Sequence, residues 1–114
     1  MHEMMIAENL LNAISDEAAK RDLKPVGAKI SCGRLYAIND EALCFAFEAI
    51  SRGTPGEGLK LQIEHKPLQG LCMNCNQNFD IEISQPRCPM CNSEDFKLLP
   101  DAPLILEEIE FQSE

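Results

Sequence analysis

Gly70-Leu-Cys72-Met-Asn-Cys75-Asn-Gln-Asn-Phe79-Asp-Ile81-Glu-Ile83-Ser-Gln-Pro-Arg-Cys88-Pro-Met-Cys91 holds two C-x-x-C turns with twelve residues between them. Each turn of this kind brings two thiolates to one ion, and two turns complete the tetrahedral shell that Zn²⁺ takes in structural sites. The intervening residues suffice for a short hairpin through Phe79 to Ile83 that folds the pairs together. Asn76 and Asn92 each follow a second cysteine, where the chain often needs positive φ, and Asn tolerates that better than most residues. The alternatives are two disulfides or idle buried thiols; paired spacing in a chain without a secretion signal favours zinc over both. Cys72, Cys75, Cys88 and Cys91 are therefore expected to bind one structural zinc ion. Its binding would contribute on the order of 10 kcal/mol to folding a unit with few apolar residues of its own. Four cysteine ligands leave no position for water or substrate, so no catalytic residue is expected. A zinc deaminase would need H-x-E ahead of a P-C-x-x-C pair, whereas His65 is followed by Lys66 and Pro67.

Turn residues bound this unit on both sides, Pro67 and Gly70 before it and Pro100 and Pro103 after it. Upstream, Met4, Ala7, Leu11, Ile14 and Ala18 recur at spacings of three and four, which predicts an amphipathic helix from Met4 to about Leu23. Lys20, Arg21 and Lys24 suit the negative end of its dipole, and Pro25 stops it. Val26, Ala28, Ile30 and Cys32 then alternate with Gly27, Lys29 and Ser31, as in a half-buried strand ending at Gly33. Asn39 or Asp40 can cap a second helix whose buried face is Leu43, Phe47 and Ile50, closed by Gly53. After a Gly- and Pro-rich loop from Thr54 to Gly58, Leu59, Leu61, Ile63 and His65 mark a second alternating strand. Leu104 to Phe111 form a third, whose phase slips between Leu106 and Ile109 as a bulge near Glu107 and Glu108 would cause. The expected architecture is α+β: two helices packed on a small three-stranded sheet, with an inserted four-cysteine, zinc-ribbon-like domain. Residues 1–66 plus 103–114 would form the α+β domain and residues 67–102 the zinc-binding domain.

The chain has 114 residues, 45% of them hydrophobic and 25% charged, the balance of a soluble globular protein. That length limits the apolar core, which favours a metal staple. Ten Lys and Arg stand against nineteen Asp and Glu, a formal charge of −9. A phosphate-binding surface needs clustered cations, so nucleic acid is excluded as an expected partner. The start, Met1-His2-Glu3-Met4-Met5, lacks a basic segment before an apolar one and is not read as a signal peptide. No apolar stretch approaches the roughly 18 residues needed to span a bilayer, so no membrane is expected and a cytoplasmic location is.

His2 places several nitrogens within reach of one ion: the α-amine of Met1, the backbone amide of His2 once deprotonated, and the imidazole. In-plane nitrogen donation suits square-planar Ni²⁺ or Cu²⁺ and is poorly matched to Mg²⁺ or Ca²⁺. A fourth ligand must come from elsewhere. From residue type alone, a solvated terminal histidine is the simpler reading.

Resemblance tips that balance. Met1-His2-Glu3 opening into a helix, Cys32-Gly33-Arg34-Leu35, Leu43-Cys44-Phe45-Ala46-Phe47-Glu48, Gly53-Thr54, Leu59 to Ile63 and both C-x-x-C pairs resemble the HypA/HybF family of hydrogenase nickel-insertion proteins. The likeness runs through essentially the whole chain. It implies a nickel metallochaperone, not an enzyme, that delivers Ni²⁺ for assembly of the nickel-iron hydrogenase site, in some organisms also assisting urease. The implied partners are a maturation GTPase, the hydrogenase large subunit and, in those organisms, urease maturation proteins. It also implies that His2 is the nickel ligand and that Cys72, Cys75, Cys88 and Cys91 hold zinc, with Zn²⁺ structural and Ni²⁺ transient cargo. Glu3 belongs to the same motif; with the Met1 amine and Asp40 it is a candidate for the remaining nickel ligands. One departure is visible: the family commonly has Gly-Glu-Leu where this chain has Gly33-Arg34-Leu35.

Other candidates have simpler accounts. His65 reads as a packed or edge histidine, Asp40 first as a helix cap, and Cys32 and Cys44 as small core residues. Met4 is explained by the helical stripe and Met5 by packing. The rival function is a zinc-ribbon protein-interaction scaffold in which His2 is incidental. Monomer and homodimer are both compatible with the sequence.

Overall fold

The computed structural model describes residues 2–113. Helix α1 (Glu3–Arg21) is followed by strand β1 (Pro25–Gly33), a 3-10 turn (Arg34–Tyr36), helix α2 (Asp40–Ser51) and strand β2 (Lys60–Lys66). Strands β3 (Gln69–Cys72), β4 (Asn78–Asp80) and β5 (Phe96–Leu98) precede the returning strand β6 (Ile105–Phe111). The strands form two sheets, ordered β2-β1-β6 and β4-β3-β5. The architecture is the expected α+β one, with the cysteine-bearing ribbon inserted between β2 and β6. The molecule is elongated, 54 × 27 × 16 Å.

In the first sheet β1 is central, parallel to β2 and antiparallel to β6. A parallel pair needs a crossover, and α2 supplies it. Pleating sends Ala28, Ile30 and Cys32 to the helical side, where they join Ile6, Leu10, Ile14, Leu43 and Phe47 in one apolar cluster. Complete burial of side chains such as Ile14, Ile30 and Leu43 is worth about 1.5–3 kcal/mol each. The opposite face is polar: Lys29 pairs with Glu64 at 3.1 Å, and Glu107 accepts from Ser31 Oγ at 2.6 Å while meeting Lys66 Nζ at 3.6 Å.

The buried face of α1 keeps Ala7, Ile14 and Ala18 of the expected stripe and differs in the rest. Ile6, Ala7, Leu10, Ile14 and Ala18 are buried, whereas Met4 and Met5 are exposed and Leu11 lies at the margin. Met4 and Met5 precede Ile6, the first buried residue of the helix, so neither is explained by packing. The helix stops at Asp22, a left-handed residue (φ 52°) whose amide bonds Ala18. Asn39, not Asp40, caps α2: its side chain accepts from the Ala42 amide at 2.9 Å. The bulge is where the phase slip put it. The register with β1 jumps between Glu108 and Leu106, leaving Glu107 as the extra residue.

The second sheet has its own apolar cluster, in which Phe79 and Ile81 pack with Cys72 and Cys88. Phe79 meets Phe96 edge to face at 5.4 Å. Ile83, expected to continue the hairpin face, is exposed, because β4 ends at Asp80. Strand β5 carries no alternation long enough to announce it. Among the described residues no helix is long and apolar enough to cross a membrane.

Candidate metal centres

Two turns of the same construction build the cysteine site. In each, the amide of the first cysteine bonds a carbonyl five residues on, Cys72 to Gln77 and Cys88 to Ser93, both at 2.9 Å. The amide four residues on bonds back to the cysteine carbonyl, Asn76 to Cys72 at 2.9 Å and Asn92 to Cys88 at 2.8 Å. Closing that loop requires a left-handed residue, and Asn76 (φ 60°) and Asn92 (φ 64°) supply it, as the sequence predicts. The turn aims backbone amides at sulfur: the Asn74 and Cys75 N–H groups both donate to Cys72 Sγ at 3.4 Å.

The four sulfurs lie within 4.8 Å of one another, the only such donor group among the described residues. Cys72 and Cys91 sulfurs are 3.4 Å apart and those of Cys75 and Cys88 3.7 Å. Zn–S bonds of about 2.3 Å at tetrahedral angles put sulfurs about 3.8 Å apart. The cage therefore has the donor set and the size of a structural zinc centre. Its titration points the same way. Hydrogen bonds from Asn74 and the Ser93 amide, with Cys72, hold Cys91 down to about 6. Cys75 is pushed up to about 12: the Gln77 amide lowers it, but desolvation and the sulfurs of Cys72, Cys88 and Cys91 outweigh that. Four thiolates this close cannot all ionise without a cation among them.

The amino-terminal candidates lie elsewhere. His2 is exposed and sits at the N-cap position of α1 in extended backbone, with no side-chain capping bond. The Met1 amine lies outside the described residues. Glu3 is already engaged: its carboxylate accepts from the Asn39 amide at 3.2 Å, and that bond holds it below the usual glutamate range. Asp40 is engaged as well, with Oδ1 2.6 Å from His65 Nε2. The sequence missed this pair, because the alternation that placed His65 on the inner face of β2 says nothing about which helix end it meets. Cys32 is fully buried and Cys44 half-buried, its thiol near the Leu61 carbonyl at 3.9 Å, as small core residues.

A closed four-cysteine cage on a ribbon, carried by an α+β unit that begins with Met-His-Glu, defines a small metal-handling protein. The chain matches the family described as hydrogenase/urease nickel incorporation, metallochaperone, hypA, over residues 1–111, and it belongs to that family. It is 37% identical to the hydrogenase maturation factor HypA of Syntrophus aciditrophicus, over 86% of this chain and 87% of that one. It is 34% identical to HypA of Azotobacter vinelandii and 31% to HybF of Escherichia coli K12, over 98% of this chain and all of each relative. Two solved structures share the fold. The nickel metallochaperone HypA of Helicobacter pylori superimposes with a TM-score of 0.62 at 20% identity over all of both chains. Another HypA solution structure gives 0.70 at 19% identity over all of this chain and 98% of that one. The function is that of a nickel metallochaperone in hydrogenase maturation, with zinc as the structural metal and nickel as cargo.

Proposed function

We propose that the protein binds Ni²⁺ through the imidazole and backbone amide of His2 together with the Met1 amine, and passes it by ligand exchange to a maturation partner. The exposed side chain of His2 at the start of α1, which makes no capping bond, is the observation that carries this reading. No covalent chemistry is needed, so the protein is read as a non-enzyme. Affinity for divalent metals rises from Mn²⁺ to Cu²⁺, so preference for nickel must come from planar geometry and from docking to the right client. The clients are read as a maturation GTPase and the hydrogenase large subunit, with urease maturation proteins where urease is present, in the cytoplasm. Cys72, Cys75, Cys88 and Cys91 hold the zinc, and residues 67–102 act as a separate zinc-stapled unit beside the nickel-binding unit of residues 1–66 and 103–114.

Calorimetric titration of Ni²⁺ into the zinc-loaded protein and into His2→Ala tests the site. Wild type is expected to take up about one nickel and the variant none, with zinc content equal in both. Equal nickel binding by the two proteins would remove His2 from the site and favour the interaction-scaffold reading.

A further inference from the structure

Three side chains from three elements line up away from the cysteine cage. Cys32, near the end of β1, is the register neighbour of His65 on β2, and its Sγ lies 3.8 Å from His65 Nδ1. His65 Nε2 in turn lies 2.6 Å from Oδ1 of Asp40, the first residue of α2. The line has the composition of a nucleophilic triad but not its chemistry. Cys32 is sealed from solvent, and burial, with the Asp40 and Asp101 carboxylates, raises its thiol rather than activating it. Nor do the three donors converge on an ion, since the two nitrogens of an imidazole point apart. The arrangement gives both ring nitrogens of His65 a partner: Cys32 Sγ lies beside Nδ1, and the Asp40 carboxylate accepts from Nε2–H.

Such a line is a strut between the sheet and the first turn of α2. Asp40 follows Asn39, whose side chain caps α2 and whose amide donates to the Glu3 carboxylate. The strut therefore ends one residue from the anchor of the Met1-His2-Glu3 motif. We propose that His65 is a positioning residue for nickel: by holding Asp40 it fixes the Asn39 amide, which tethers Glu3 and thereby orients His2 for chelation. Ordering the terminus in advance lowers the entropy lost when metal binds. The proposal rests on the N-terminal nickel site and adds to it a residue from a distant strand.

The test is Ni²⁺ titration of zinc-loaded, full-length His2→Ala, His65→Ala, His65→Gln, Glu3→Ala and Glu3→Ala/His65→Ala. His65→Ala is expected to bind nickel about tenfold more weakly, within the range of coupling in one hydrogen-bonded network. His65→Gln, whose amide still donates to Asp40, is expected to recover most of that loss. In the Glu3→Ala background the His65 change should add nothing, because the tether is already cut. Unchanged affinity in His65→Ala, or losses that add in the double variant, would overturn the positioning role while leaving the His2 site standing. Nickel retained by His2→Ala would overturn both. Should His65→Ala fail to fold, His65→Phe fills the same space with no donor for Asp40 and carries the same expectations.

Discussion

Gly33 shows how one position can be set by a residue far along the chain. Its backbone is ordinary (φ −78°, ψ 167°), so no left-handed geometry calls for glycine. A Cβ there would land inside the Asp101 carboxylate. That carboxylate comes back from the zinc ribbon and accepts from the Leu35 amide at 2.8 Å, while the Gly33 amide bonds Ala102 at 2.9 Å. Gly33→Ala must push Asp101 off Leu35 and is expected to destabilise the protein by about 1–3 kcal/mol in urea denaturation. In an Asp101→Ala background the same change should cost clearly less, since the obstacle is gone. The sequence announces Gly33 as the end of a strand, but not this reason for it, because Asp101 lies 66 residues beyond Leu35. Asn76 and Asn92 are the opposite case, their left-handed conformation following from the local C-x-x-C turn.

At the scale of elements, β6 was legible down to its bulge, because a phase slip in an alternating strand has one simple geometric cause. The use of that bulge was not. The extra residue, Glu107, sits on the polar face of the sheet, where Ser31 and then Lys66 hold its carboxyl below the usual glutamate range. Its folded value lies below its unfolded one, so as pH falls the unfolded chain takes up the proton first. The contribution of Glu107 is complete above the ordinary glutamate range and is lost as pH falls through and below it. Thermal melts of Glu107→Gln are expected to vary less with pH than wild type between about pH 6 and about pH 3. Equal slopes would show that the Ser31 bond carries no linkage. Helix α1 was legible as a helix and in Ala7, Ile14 and Ala18 of its inward face, but not in Ile6 and Leu10, since stripes through Met4 and Leu11 or through Ile6 and Leu10 both satisfy helical spacing. Strand β5, three residues long, was not legible at all.

For the whole molecule, each sheet has its own apolar cluster, and the ribbon's cluster is small and built partly from the cysteines themselves. Removing zinc is therefore expected to unfold residues 67–102 and leave the helices on their sheet. Limited proteolysis after chelation should cut between Gln69 and Leu98 and spare α1, α2, β1 and β2. Protection of the ribbon would contradict its dependence on metal, and general degradation would contradict its independence. Two polypeptide connections join the parts, and the Asp101 carboxylate and the Ala102 carbonyl lock one of them against the end of β1.

The sequence alone determined the four-cysteine cluster, the class of fold and the order of the helices and strands outside the ribbon. Each of these follows from local chemistry: ligand spacing within a turn, periodicity within a strand or helix, a proline or glycine at a break. Only the tertiary structure decided that Glu3 anchors on Asn39, that His65 braces Asp40 and that Asp101 rests over Gly33. These contacts join residues far apart in the chain, and which polar groups meet depends on how the helices cross the sheet. Periodicity assigns a side chain to a face; it does not choose its partner.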